Sequence, residues 1–295
     1  MAFFSLAFRP FFLMGALFSM MSLCLWAAMM TGTLTVEVYG GQLWWHIHEM
    51  LFGFVSAIVV GFLLTAVQTW TGVAGIKGRA LVLLVVLWLL ARLALFFPLI
   101  LPSWLIASID LSFLLVAAIV LAAPIIKVKQ WRNIVFVPVL LVMSLANASM
   151  HWSSYKQTAN YFDASHTMVM IMVLLMCVMG GRVFPMFTAN GTQTERVSPI
   201  GILEKGCIAS VVLLVILSFQ LVDLPAALTG GLFIAAAILN AVRARRWKIW
   251  VTLKTPLLWS LHVSYWCIVM GLFLYALSML SSLVTSSQAT HTLTV

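Results

Sequence analysis

The sequence predicts an all-α fold, a polytopic bundle of transmembrane helices, on three observations. The 295 residues are 64% hydrophobic and 8% charged, where a soluble domain runs near 45–50% and about 25%. That leaves too few polar side chains to clothe a water-facing surface. Apolar stretches of about 18 residues or more recur along the chain, each long enough to cross a hydrocarbon core about 30 Å thick. The stretches are continuous rather than alternating, which selects helices over a membrane barrel.

Nine spans follow in order. The first, 11–31, carries Trp26 and a Met-rich end and lacks a small-x-small cleavage site, so it reads as a retained helix rather than a signal peptide. The second, 50–69, follows the stretch "WWHIHEMLFGF" that begins at Trp44. The third, 80–97, and the fourth, 104–123, hold Arg92 and Asp110 respectively. The fifth, 133–150, ends against His151, and the sixth, 166–187, begins at His166. The seventh and eighth, 206–222 and 225–242, lead to the ninth, 256–283, which contains His262. No long polar linker separates them, so residues 1–295 read as one membrane domain.

The net charge of +9 suggests nucleic acid only until its distribution is followed. With a cytoplasmic N-terminus, one set of loops holds thirteen of the sixteen Lys and Arg residues, from Arg9 to Lys254, and the opposite set holds only Lys156. Such an imbalance is the positive-inside signature. It makes "RARRWKIW" a topology anchor on anionic lipid, and it leaves nucleic acid without a role.

That orientation places His46, His48, His151, His166 and His291 at the outer membrane level, and His262 on the cytoplasmic half. Imidazole suits copper, iron and zinc, and polar groups at membrane depth are functional candidates. Five histidines at one level, from segments far apart in sequence, point to a metal site near the periplasmic face. On a helix, positions i and i+2 point about 200° apart, so His46 and His48 would serve different places. If residues 44–47 were extended, the two rings would share a face. Glu49, three residues from His46, is placed to orient that ring, or to answer the helix dipole. Asn147, four before His151, is placed to orient that one.

Arg92 and Arg182 lie inside spans and need an anionic partner: Asp110, a haem propionate or a lipid phosphate. Snorkelling to the interface is the alternative, easier for Arg182. The methionines of the sixth span, Met168 to Met179, read as packing, although thioethers bind Cu(I). Cys24, Cys177, Cys207 and Cys267 have neither metal nor redox spacing and read as inert thiols.

Four motifs in order, "FRPFFLMGALF" from Phe8, "WHIHEMLFGF" from Trp45, "GFLLTAVQTWTG" from Gly61 and "GGRVFPMFTANG" from Gly180, resemble the NnrS family along the whole chain. The resemblance implies a multi-pass protein of the bacterial inner membrane, linked to the nitric oxide response and containing haem, b-type by expectation, and copper. His46, His48, Glu49, Arg92, His151, Arg182, His262 and His291 fall on positions matching the family's motifs. The resemblance implies His46, His48, His151, His262, Arg92 and Arg182 as cofactor-binding candidates, with nitric oxide as ligand. It does not assign which histidine holds which metal, or name catalytic residues. Gln68-Thr69 and Ala91 depart from the family's usual residues. Members also usually continue through about three further helices, so the chain reads as shortened at Val295. The rival reading is a membrane transporter or handling protein for haem or copper, which would more typically show broken helices at the midplane.

Overall fold

The computed structural model describes residues 3–294, which are helical with no strand among them. Among the described residues, nine helices are long and apolar enough to cross a membrane: α1 Phe8–Met30, α2 Gln42–Thr71, α3 Gly78–Phe96, α4 Ser103–Lys127, α5 Phe136–Lys156, α6 Tyr161–Thr192, α7 Gly201–Ser218, α8 Ala226–Arg246 and α9 Pro256–Leu280. A short tenth, α10, covers Ser286–Thr294.

The second span differs from its sequence reading in a way that matters. It begins at Gln42, not residue 50, so His46 and His48 are helical and the extended alternative does not apply. The continuous apolar run starts later because Gln42, His46, His48 and Glu49 interrupt these turns; His48 and Glu49 find partners on other helices. Immediately after His48 the helix widens into a π-helical stretch, Glu49–Val55, before resuming as α-helix at Ser56. Such widened turns leave carbonyls out of register and concentrate at functional sites. The Trp88 indole of α3 donates to one of these, the Gly53 carbonyl, at 3.0 Å.

The chain divides after Met168, inside α6, into two compact units. In the first, α2 packs on α1 and α4, and α4 also packs on α3 and α5. Its interior holds Trp44, Trp45, Trp88 and Phe113 together with buried polar groups. In the second, α8 packs on α7 and α9, and α9 also carries α10. Outward-facing residues in both are large and apolar, Leu83, Ile119 and Leu257 among them. Where the surroundings are as apolar as leucine, burial does not drive helices together; close packing and interhelical hydrogen bonds do. Each unit has one such polar core, and the two cores differ in charge.

Candidate metal centre

In the first unit, α2, α3, α4 and α5 each contribute polar side chains to one dry cluster. His48 Nε2 lies 3.1 Å from Asp110 Oδ2 and 2.9 Å from Asn147 Oδ1. His151 Nε2 lies 3.1 Å from the same Asp110 oxygen. Asn147 donates its amide N–H to that oxygen at 2.6 Å, which leaves its own oxygen facing His48. His48, Glu49, Asp110, Asn147, Arg92 and His151 are all buried.

Arg92 closes the arrangement. One arm of its guanidinium donates to Asp110 Oδ1, and the other donates to Glu49 Oε2 at 2.6 Å. The second Glu49 oxygen lies 3.6 Å from His48 Nδ1, and neither of those two atoms has a hydrogen-bond partner. The contacts therefore run in a ring: His48, Asp110, Arg92, Glu49 and back to His48. The ring passes over Gly53, where an added Cβ would lie 2.5 Å from Glu49 Oε2 and 2.8 Å from an Arg92 nitrogen. Only glycine leaves room for that ion pair against α2.

Aromatic side chains hold the imidazoles in place. Trp44, one turn before His48, stacks on it at 4.7 Å and 9°, and Phe52 lies 5.3 Å from its ring. The Trp44 indole N–H donates to the Met150 carbonyl at 3.1 Å, tying α2 to α5 beside His151. Tyr39, in the loop before α2, brings its hydroxyl to 3.3 Å from His151 Nδ1. Burial raises the Tyr39 phenol above its usual range, so it stays protonated and can give or accept a hydrogen bond.

His48, Asp110 and His151 each offer a ligand atom, all within 4.8 Å of one another, and they are the only such group among the described residues. Two imidazoles and a carboxylate suit a transition metal ion. The formal charge points the same way. Arg92 balances one of the two carboxylates it bridges, so with neutral imidazoles the cluster carries one uncompensated negative charge. A buried charge without a counterion is costly.

The other sequence candidates lie elsewhere. His46, two residues from His48 and so on another face of α2, stacks on Trp26 at 4.0 Å and 17°. His166 is half-buried in the early turns of α6, and exposed His291 sits on α10, its Nδ1 2.8 Å from the Ser287 carbonyl. Glu49, expected to orient His46 or to answer the helix dipole, reaches Arg92 and His48. Asn147, expected to orient His151, bonds His48 and Asp110. Arg182 is half-buried on α6; the buried partner of Asp110 is Arg92.

The second unit has a polar core that the sequence reading missed. Arg243, counted there among the loop cations, is buried on α8. It donates to Glu204 Oε2 at 3.0 Å, to the Cys177 carbonyl at 2.8 Å and to the Tyr265 hydroxyl. Tyr265 donates to Asn240 Oδ1 at 2.7 Å. The signal was hidden because Arg243 shares a basic run with Arg245 and Arg246, and only burial distinguishes it. Here too a glycine makes room: a Cβ at Gly181 would lie 2.6 Å from Glu204 Oε2. One cation meets one carboxylate, so this core is neutral. Beside it Phe184 stacks on Trp247, and His262 Nε2 is 2.8 Å from the Thr188 hydroxyl. Neutral, with one carboxylate, one carbonyl and one hydroxyl accepting from Arg243, it has the character of a structural pin.

A family model described as NnrS protein matches residues 2–295 of the chain. No curated protein and no solved structure matches it.

Proposed function

Because the chain belongs to the NnrS family, we propose that it is a multi-pass protein of the bacterial inner membrane that protects against nitric oxide through a metal held by His48, Asp110 and His151. The observation that carries this reading is the buried set of two imidazoles and a carboxylate whose ligand atoms lie within 4.8 Å of one another. Copper fits it. The donors are a mixture of nitrogen and oxygen, and with both imidazoles neutral a cation balances the second carboxylate that Arg92 bridges. When bound, copper would supply one-electron redox chemistry and an affinity for nitric oxide.

The chain's own groups do the rest. His48 and His151 offer Nε2, with Asp110 as third donor. Glu49 faces His48 Nδ1 and Tyr39 faces His151 Nδ1, each keeping a ring turned toward the ion. Asn147 and Arg92 fix the Asp110 carboxylate. The Trp44 and Phe52 rings exclude water. Nitric oxide is small and apolar and reaches such a place through the lipid, without a polar path.

Haem, the other cofactor the family resemblance implies, does not fit at this cluster. Trp44 stacks directly on His48, and Tyr39 and Trp44 pack within 5.4 and 5.5 Å of the His151 ring, leaving no room for a porphyrin face.

An absorption spectrum with metal analysis of the purified protein tests the proposal. About one copper per chain is expected, lost in His48→Ala and His151→Ala; a metal-free protein, or variants that keep full metal, would end the reading. Copper handling is the alternative. It is favoured by the π-helical stretch Glu49–Val55 beside the site, and metal uptake into vesicles would separate it from chemistry on nitric oxide.

A further inference from the structure

We infer that Arg92 is the specificity-determining residue of the metal centre, and that it sets the site for a monovalent cation, cuprous copper among transition metals, over a divalent one. The inference rests on the reading that His48, Asp110 and His151 hold a metal. It goes further in fixing the charge of the ion and the residue responsible.

In the occupied site both histidines must be neutral to offer a lone pair. Glu49 and Asp110 contribute two negative charges, and Arg92, which bridges them, contributes one positive. The surrounding groups, Asn147, Tyr39, Trp44 and Phe52, are neutral. A monovalent ion brings the total to zero, whereas a divalent ion leaves one positive charge buried. Burying an uncompensated charge in an apolar interior is strongly unfavourable, so the neutral total wins. Imidazole suits copper and zinc alike, and the Asp110 carboxylate is already held by Arg92 and Asn147, which leaves charge to separate the ions.

Arg92 is the group that makes the total come out this way. Without it, the two carboxylates and two imidazoles would be neutralised by a divalent ion instead. Glu49 matters in the opposite sense: its carboxylate touches Arg92 at 2.6 Å and lies 3.6 Å from His48 Nδ1 without being one of the three ligand residues. Its charge can therefore be removed while the three ligands stay in place. Replacing Glu49 and Arg92 together removes one charge of each sign and preserves the total.

The test is competition between Cu(I), under a reductant and a chelator of known affinity, and Zn(II), on the full chain in lipid nanodiscs. The wild type is expected to prefer Cu(I). Arg92→Gln is expected to shift the ratio toward Zn(II) by about a hundredfold, on the order of one uncompensated buried charge, and to lower the midpoint potential of bound copper. The double variant Glu49→Gln/Arg92→Gln is expected to return both to near wild type. Equal binding of Zn(II) and Cu(I) by the wild type would overturn the inference, even if Arg92→Gln fails to fold. So would a ratio that shifts equally in the single and double variants, or in neither. Failure of the underlying reading looks different: the wild type takes up neither ion, or His48→Ala takes up both unchanged.

Discussion

Glu49 and Arg92 form their ion pair, at 2.6 Å, directly over the backbone of Gly53, so a single methyl group decides whether it can exist. Gly53→Ala would place a Cβ 2.5 Å from the carboxylate. We expect a loss of about 1–3 kcal/mol, as for overpacking in a tight core, together with reduced copper content. Gly206→Ala is the control. Its Cβ would meet only Leu239 at 3.7 Å, and an alanine in a helix interior is favourable by about 0.5–1 kcal/mol. Thermal unfolding in detergent, with metal analysis of the same samples, compares the two.

The histidines should separate into two groups. His48→Ala and His151→Ala are expected to abolish stoichiometric copper, whereas His46→Ala, His166→Ala and His291→Ala retain it. Metal analysis of the five purified variants decides the matter; equal loss across all five would make the whole outer set, rather than the buried trio, the binding unit.

Tyr39→Phe removes the hydroxyl that faces His151 Nδ1. Losing a group that orients a ligand typically weakens metal affinity by about 10–100-fold, so copper should still bind but be lost to a competing chelator sooner. The phenol also carries a pH consequence. Burial raises it above its usual range, so the unfolded chain loses this proton first as pH rises. The stability it contributes is constant below the ordinary phenol range and falls above it. Tyr39→Phe should remove that alkaline component from a melting curve measured against pH.

In the second unit, Arg243→Leu strands Glu204 and breaks the bonds to Cys177 and Tyr265. Removing one partner of a buried pair costs about 3–5 kcal/mol. Glu204→Gln should cost less, since Glu204 remains partly exposed. Because this core is neutral, copper per folded chain should not change in either variant. A variant that folds normally but loses copper would mean that the core has a ligand role.

Orientation is open to a direct check. Removing buried Arg243 from the loop cations still leaves twelve basic residues against Lys156 alone. A reporter fused after Val73 is expected to be active in the cytoplasm, and one fused after Gln157 in the periplasm. The reverse pattern would invert the proposed topology.

The sequence by itself determined the class of this protein: nine apolar runs, too few charges for a water-facing surface, and motifs along the whole chain that match its family. Those features are legible because hydropathy over some twenty residues is a local property. It left His46 and His48 diverging if helical or sharing a face if extended, and only the helical start at Gln42 separated them. What it could not supply was the partner of each polar group. Asp110 and Arg92 are eighteen residues apart and Arg243 and Glu204 thirty-nine, and their meeting depends on how helices cross. The choice of Arg92 for Asp110, the turn of Glu49 away from His46 and the burial of Arg243 were all decided by tertiary structure. In an apolar interior a charge must find its counterpart, and only packing sets which one lies within reach.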